Sequence, residues 1–198
     1  HWKSSIKYDP AAANALLDRF GYRRGPDGWR TYPDGAPMVI KYAARPDTQN
    51  RQLEELVKKS YDAIGVRMEG QHEKFPELLK AEKQCRLFSR EGAWIADYPD
   101  GDNFMQLFYG PNSYQSNNAC ATIPEYDALY VRTLRMPAGP ERDRLYREMT
   151  RILEAYAPHV MTVSRYRNQL VQGRVEGYRK HPILTSQWQY ADVAAAGH

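Results

Sequence analysis

Long apolar runs are missing from this 198-residue chain, and none approaches the roughly 20 residues that a bilayer-spanning helix needs. The opening His1-Trp2-Lys3-Ser4-Ser5 has neither an initiator methionine nor the apolar stretch of an export signal, so the expectation is a soluble piece of a longer gene product. Cysteine is scarce. Cys85 and Cys120 stand too far apart for a zinc knuckle or a redox Cys-x-x-Cys pair. Two readings of them stay open: a buried strand thiol with a separate loop thiol, or one disulfide if the protein is exported. The five histidines are dispersed with no His-Glu-x-x-His, and His72, His159 and His181 read as surface or local hydrogen-bonding residues. Neither a metal site nor a cofactor is expected. A Gly-rich phosphate loop, a Gly-x-Ser-x-Gly elbow and a Cys-His pair are also missing.

Charge of one sign is not concentrated anywhere. The formal net charge is +4, and basic-aromatic patches occur at Tyr22-Arg23-Arg24, Arg165-Tyr166-Arg167 and Tyr178-Arg179-Lys180. The basic residues are nevertheless scattered among 24 acidic ones. Without a dense stripe or an RNA-binding motif, nucleic acid is not an expected partner.

With 42% hydrophobic and 26% charged residues the chain is globular. Asp9 can cap a helix with Pro10 at its first position and Gly21 past its end, with Leu16, Leu17 and Phe20 on one face. After turn-rich residues 25–37, Met38 to Ala43 reads as a buried strand. A helix from about Thr48 to Ile64 carries Leu53, Leu56, Val57, Tyr61 and Ile64 at helical spacing, and Gly65 suits a left-handed stop. Val66 to Glu69 then reads as a strand, Phe75, Leu78 and Leu79 as a short helix, and Cys85 to Phe88 as another strand. Strands alternating with helices favour an α/β layer. Further on, Tyr126, Leu129, Tyr130 and Leu134 mark one packing helix, and Pro140 opens another striped by Leu145, Met149, Ile152, Leu153 and Tyr156. Val160 to Val163 and Asn168 to Val171 read as strands, 173–190 as irregular, and Ala194 to His198 as a frayed end.

Residues 94–104, Trp94-Ile95-Ala96-Asp97-Tyr98-Pro99-Asp100-Gly101-Asp102-Asn103-Phe104, set carboxylates among aromatics and turn formers between a strand-like and a helix-like run. Ligands favour such junctions in open α/β sheets. A calcium loop counted from Asp97 puts Phe108 where an acidic residue must close it, so that reading fails. A carbohydrate-active hydrolase using two of Asp97, Asp100 and Asp102 as acid and base is the alternative function. Against it, carboxylates beside Pro and Gly commonly shape turns and cap helices.

The same stretch carries a resemblance. Trp-x-Ala-Asp-Tyr-Pro-Asp-x-Asp-Asn-Phe, followed by Asn117-Asn118, Tyr126-Asp127-Ala128-Leu129, Arg142-Asp143-Arg144-Leu145-Tyr146 and Ala157-Pro158, resembles the C-terminal half of family 5 extracellular solute-binding proteins, the peptide, dipeptide and nickel receptors of ABC importers. Tyr8 to Leu17, ending at Gly21-Tyr22, resembles the family's helix before the large lobe's sheet.

The resemblance implies the large C-terminal lobe of a type II periplasmic-binding-protein-like fold, a mixed sheet flanked by helices. Residues 1–165 would be the ligand-binding lobe and 166–198 a return segment packing on an N-terminal lobe outside this chain. It implies no catalytic residue and a peptide or similar small solute as ligand. The partners would be ABC permease subunits, and the location periplasmic or extracellular. Asp97 matches the Asp that holds a ligand's free α-amino group, Trp94 and Tyr98 would flank it, and Ala93 and Ile95 would lie on an edge from Gly92 to Ile95 that pairs with an extended peptide. Asn117 would line the cleft. One departure stands out: where oligopeptide receptors of the family can carry a basic residue that pairs with a peptide's carboxylate, this chain has Glu91, with Arg90 beside it.

Overall fold

The computed structural model describes residues 4–164, 166, 168–181, 183 and 187–195. Helix α1 (Pro10–Arg19) starts as its sequence requires, with the Asp9 carboxylate accepting the Ala12 N–H at 2.9 Å. Strands β1 (Val39–Ala44), β2 (Arg67–His72) and β3 (Ser89–Arg90) form a parallel sheet in the order β2-β1-β3. Helix α2 (Thr48–Ala63) connects β1 to β2 and α3 (Phe75–Lys83) connects β2 to β3. Strand β1 pairs with β2 from Val39 opposite Arg67 to Ala44 opposite His72, but meets β3 only at Tyr42–Ser89 and Ala43–Arg90. The order reverses between β1 and β3, the kind of switch point whose carboxyl end opens a crevice in α/β sheets.

The period-2 rule places Ile40, Tyr42 and Ala44 on one face of β1, where they join Val66 and Met68 in a buried cluster. Leu17, Val57, Tyr61 and Ile64 close over it. The Arg30 side chain is 2% exposed and makes four hydrogen bonds. It donates to Asp18 Oδ1 at 2.6 Å, Asn14 Oδ1 at 2.7 Å, and the carbonyls of Ile64 at 2.8 Å and Tyr22 at 2.5 Å. A charge so deeply buried persists only when its donors are satisfied. At Gly65 φ is +73°, and an added Cβ would lie 2.8 Å from the Gly28 carbonyl, so the α2 stop there requires glycine.

A second core belongs to α5 (Pro124–Thr133) and α6 (Pro140–Tyr156), preceded by the single-turn α4 (Asp102–Met105). Ile123, Tyr126, Leu129 and Tyr130 pack on Leu145 and Met149, which stand one helical turn apart on α6. Met105, Phe108 and Tyr109 lie against the same cluster, so the segment after α4 is anchored on this helical pair. The tail adds a short antiparallel pair, β4 (Val175–Glu176) with β5 (Asp192–Val193).

Several sequence expectations are corrected. Cys85 to Phe88 is not a strand: α3 runs on to Lys83 and closes through Cys85 at φ 53°, a left-handed turn incompatible with β geometry, so the ladder starts only at Ser89. Residues 92–95 form no strand and carry no ladder pairing, so the sheet edge there is β3 itself. Val160 to Val163 forms no strand, and neither do the described residues of Asn168 to Val171; Met161, Val163 and Leu170 are exposed and find no sheet to join. Residues 196–198 of the expected frayed end, and 165 and 167, lie outside the described residues.

Cys85 and Cys120 form a disulfide, with a Cα–Cα distance of 5.8 Å and a sequence separation of 35. The Lys83 ammonium supports the same junction by donating to the Gln115 carbonyl and to Asn118 Oδ1. Closing a ring of this size contributes about 3 to 4 kcal/mol in the chain-entropy account. Replacing both cysteines by serine should lower the urea-unfolding free energy by about that amount. Adding a thiol reductant to the wild type should reproduce the loss, and the double variant should be insensitive to it.

Candidate functional site

The chain leaves β3 at the sheet's carboxyl end, continues without regular structure through residues 91–96, turns at 97–101 and enters α4. The helical pair acts as the template for this turn. From α6, Arg142 donates to Asp100 Oδ2 at 2.5 Å while its guanidinium lies 5.4 Å from the Tyr146 ring centroid. The Tyr146 ring lies so close to Gly101 that an added Cβ would meet it at 3.0 Å. From α5, the buried Tyr126 phenol donates to the Met105 carbonyl at 2.7 Å, and Asp127 Oδ1 accepts the Gly110 N–H at 2.8 Å. Burial raises the Tyr126 and Tyr130 phenols well above the ordinary tyrosine range, so both stay neutral donors.

Inside the turn the three carboxylates have different surroundings. Asp100 accepts the Asp102 N–H at 2.9 Å, and that bond, helped by Arg142, holds its carboxyl below the usual range. Asp102 accepts the Tyr98 hydroxyl at 2.7 Å, which raises the Tyr98 phenol. Asp97 is exposed; one oxygen accepts the Asn103 amide at 3.3 Å, and the other accepts no hydrogen bond among the described residues. Asp100 and Asp102 are thus engaged in shaping the turn, and the acid/base pair of the hydrolase alternative finds no support in the arrangement.

Trp94 is 37% exposed, and its indole N–H donates to Asn103 Oδ1 at 2.8 Å. Tyr98, Ile95 and Ala93 are exposed on the same segment. Asn117 is 1% exposed, with its amide donating to the carbonyls of Ala121 at 2.9 Å and Tyr109 at 3.2 Å inside the loop that Cys120 closes. Arg90 donates to the buried Glu82 at 2.5 Å and to the Glu91 carbonyl at 3.2 Å. Sequence reasoning passed over Asn103, Arg142, Tyr126 and Tyr146, although all stand inside stretches quoted for the resemblance. The missing signal is the tertiary proximity that gives them partners.

A parallel sheet with order 2-1-3, a crevice segment rich in acids and aromatics, and a helical pair beneath it define a type II periplasmic-binding-protein fold. The model of the bacterial extracellular solute-binding proteins, family 5 middle region, matches residues 1–116. The chain therefore belongs to that family.

Among curated relatives, the heme-binding protein A of Haemophilus influenzae is 27% identical over 177 residues, covering 89% of this chain and 31% of its own. A dipeptide-binding protein of Pseudomonas aeruginosa is 24% identical over 182 residues, covering 89% of this chain and 32% of its own. The chain thus spans about a third of the length of these relatives. Among solved structures, the Escherichia coli murein tripeptide binding protein MppA superposes with a TM-score of 0.73 at 19% identity, covering 93% of this chain and 34% of its own. The ABC transporter-associated periplasmic binding protein DppA of Helicobacter pylori, in complex with the peptide STSA, gives 0.71 at 19% identity, covering 97% and 36%. At these identities the likeness is one of fold.

Because its folded pKa is depressed, Asp100 contributes stability above its unfolded pKa of about 3.9, and that contribution disappears as pH falls through the folded value. An Asp100→Asn variant keeps a capping oxygen but loses the charge. The stability difference between wild type and this variant should be constant near neutrality and shrink below about pH 4, as measured by urea unfolding across a pH series.

Proposed function

We propose that this chain is the large C-terminal lobe of a solute-binding receptor of an ABC importer. It would take a peptide or similar small solute in a cleft between lobes and deliver it to a membrane permease. The observation that carries the reading is the state of Asp97. Its carboxylate is exposed at the carboxyl end of the sheet, braced from one side by Asn103 and open on the other, with Trp94 and Tyr98 beside it. An anchored anion with one free oxygen suits a ligand ammonium, and a charge-assisted hydrogen bond of that kind is worth about 1.5 to 3 kcal/mol net. The arrangement suits binding of a cationic group.

The Arg90–Glu82 ion pair sharpens the specificity. Arg90 is already neutralised by a carboxylate that is 6% exposed, so it is a poor receptor for a ligand carboxylate. Recognition then rests on the amino end and on sequence-tolerant contacts, which favours ligands of variable length. Residues 1–165 would form the lobe and 166–198 the segment returning to the other lobe, consistent with the exposure of Tyr166 at 99% and Leu170 at 100%. Closure of the lobes would be driven by a ligand that binds the closed state better than the open one. A periplasmic or extracellular location fits both the disulfide and the likeness to periplasmic binding proteins.

In the full-length receptor, Asp97→Ala should weaken binding of free-amine peptides by about 2 kcal/mol or more, while Asp100→Ala costs far less. Calorimetric titration with a peptide set offered free and N-acetylated checks this. Equal losses in the two variants would remove Asp97 from the role.

A further inference from the structure

The polar group placed most deeply in the crevice segment is the side chain of Asn103, which is 0% exposed. Its partners fix the orientation of its amide. Trp94 Nε1–H and the Asp97 backbone N–H can only donate, and both point at the same atom, at 2.8 Å and 3.2 Å, so that atom must be the carbonyl oxygen. The amide nitrogen is thereby turned to Asp97 Oδ2, 3.3 Å away. One side chain holds the indole, the backbone and the carboxylate of the four-residue span from Trp94 to Asp97.

We propose that Asn103 is the positioning residue of this site: it holds Asp97 with one carboxylate oxygen tethered and the other presented to the ligand, and it sets the Trp94 ring beside it. The proposal rests on the ligand-binding reading above and assigns the preorganisation of that site to one buried amide. Removing a buried amide that serves several groups at once breaks all of those contacts together, and water in its place does not reproduce their common geometry. A carboxylate freed from its tether loses a defined orientation toward an incoming ammonium.

The test uses the full-length receptor with trialanine and N-acetyl-trialanine as probes, together with the Trp94 indole N–H resonance of the ligand-free protein. In Asn103→Ala the indole resonance should move and exchange faster with solvent. Affinity for trialanine should fall by about tenfold or more, with the acetylated peptide changing by less than about threefold. Asn103→Asp conserves volume and both acceptor contacts and so guards against a misfolded alanine variant. It should keep the indole resonance yet shift the ratio of the two affinities by about threefold or more, because a carboxylate now faces Asp97 where a donor stood. An indole resonance and an affinity ratio unchanged by Asn103→Ala overturn the proposal, and so do equal losses for the two peptides, which would make Asn103 merely structural. A wild type that binds both peptides alike overturns the ammonium reading instead. The hold on Trp94 is then decided by the indole resonance alone, and its persistence in Asn103→Ala would overturn that as well.

Discussion

The two hydrophobic cores share no residue, and the candidate site lies on the stretch of chain that joins them. One core belongs to β1, β2 and α2, the other to α5 and α6. Met105, Phe108 and Tyr109 seat the later part of the joining stretch on the second core, and the shape of the earlier part depends on attachments at its ends and along its length. The Cys85–Cys120 bond supplies the end-to-end attachment covalently. Without that closure the turn would carry the full entropic cost of ordering an irregular segment of this length.

Along the stretch the attachments are polar and come from the helical pair. Tyr126, Asp127 and Arg142 each reach across to a backbone or carboxyl group of the 97–110 region. Burial keeps the Tyr126 phenol neutral, so its hydrogen bond to the Met105 carbonyl does not titrate at ordinary pH. The result is a division of labour: the apolar stripe of α5 and α6 provides rigidity, and their polar side chains transfer it to a segment that is largely exposed. This is the arrangement expected of a preorganised site, whose key groups are locked by their neighbours.

Much of this was legible before the structure. The helices α1, α2, α5 and α6 announce themselves by caps, helical spacing and stop residues, which are local signals. Strand β1 was legible because a buried run flanked by turns has few alternatives; the junction of the carboxylates was read from a strand at Cys85 to Phe88, and the strand that precedes them is instead Ser89–Arg90. What stayed hidden depends on partners distant in sequence. Cys85 looks like a strand residue among Arg86, Leu87 and Phe88 until the disulfide places it at φ 53°. Val160 to Val163 has strand composition, but a strand needs an edge to pair with, and none is offered there. Asn103 reads as one more polar residue at a helix start; only its 0% exposure and its three contacts give it a role.

The covalent ring between Cys85 and Cys120 also bears on how this segment can change over evolutionary time. The exposed residues 93–98 lie inside the ring, and helices α5 and α6 that support it lie outside. Met105, Phe108 and Tyr109 within the ring are tied to that support, whereas Ala93, Ile95 and Asp97 face solvent. Exchange at the exposed positions can therefore remodel one surface within a bounded insert while the residues that seat it are kept.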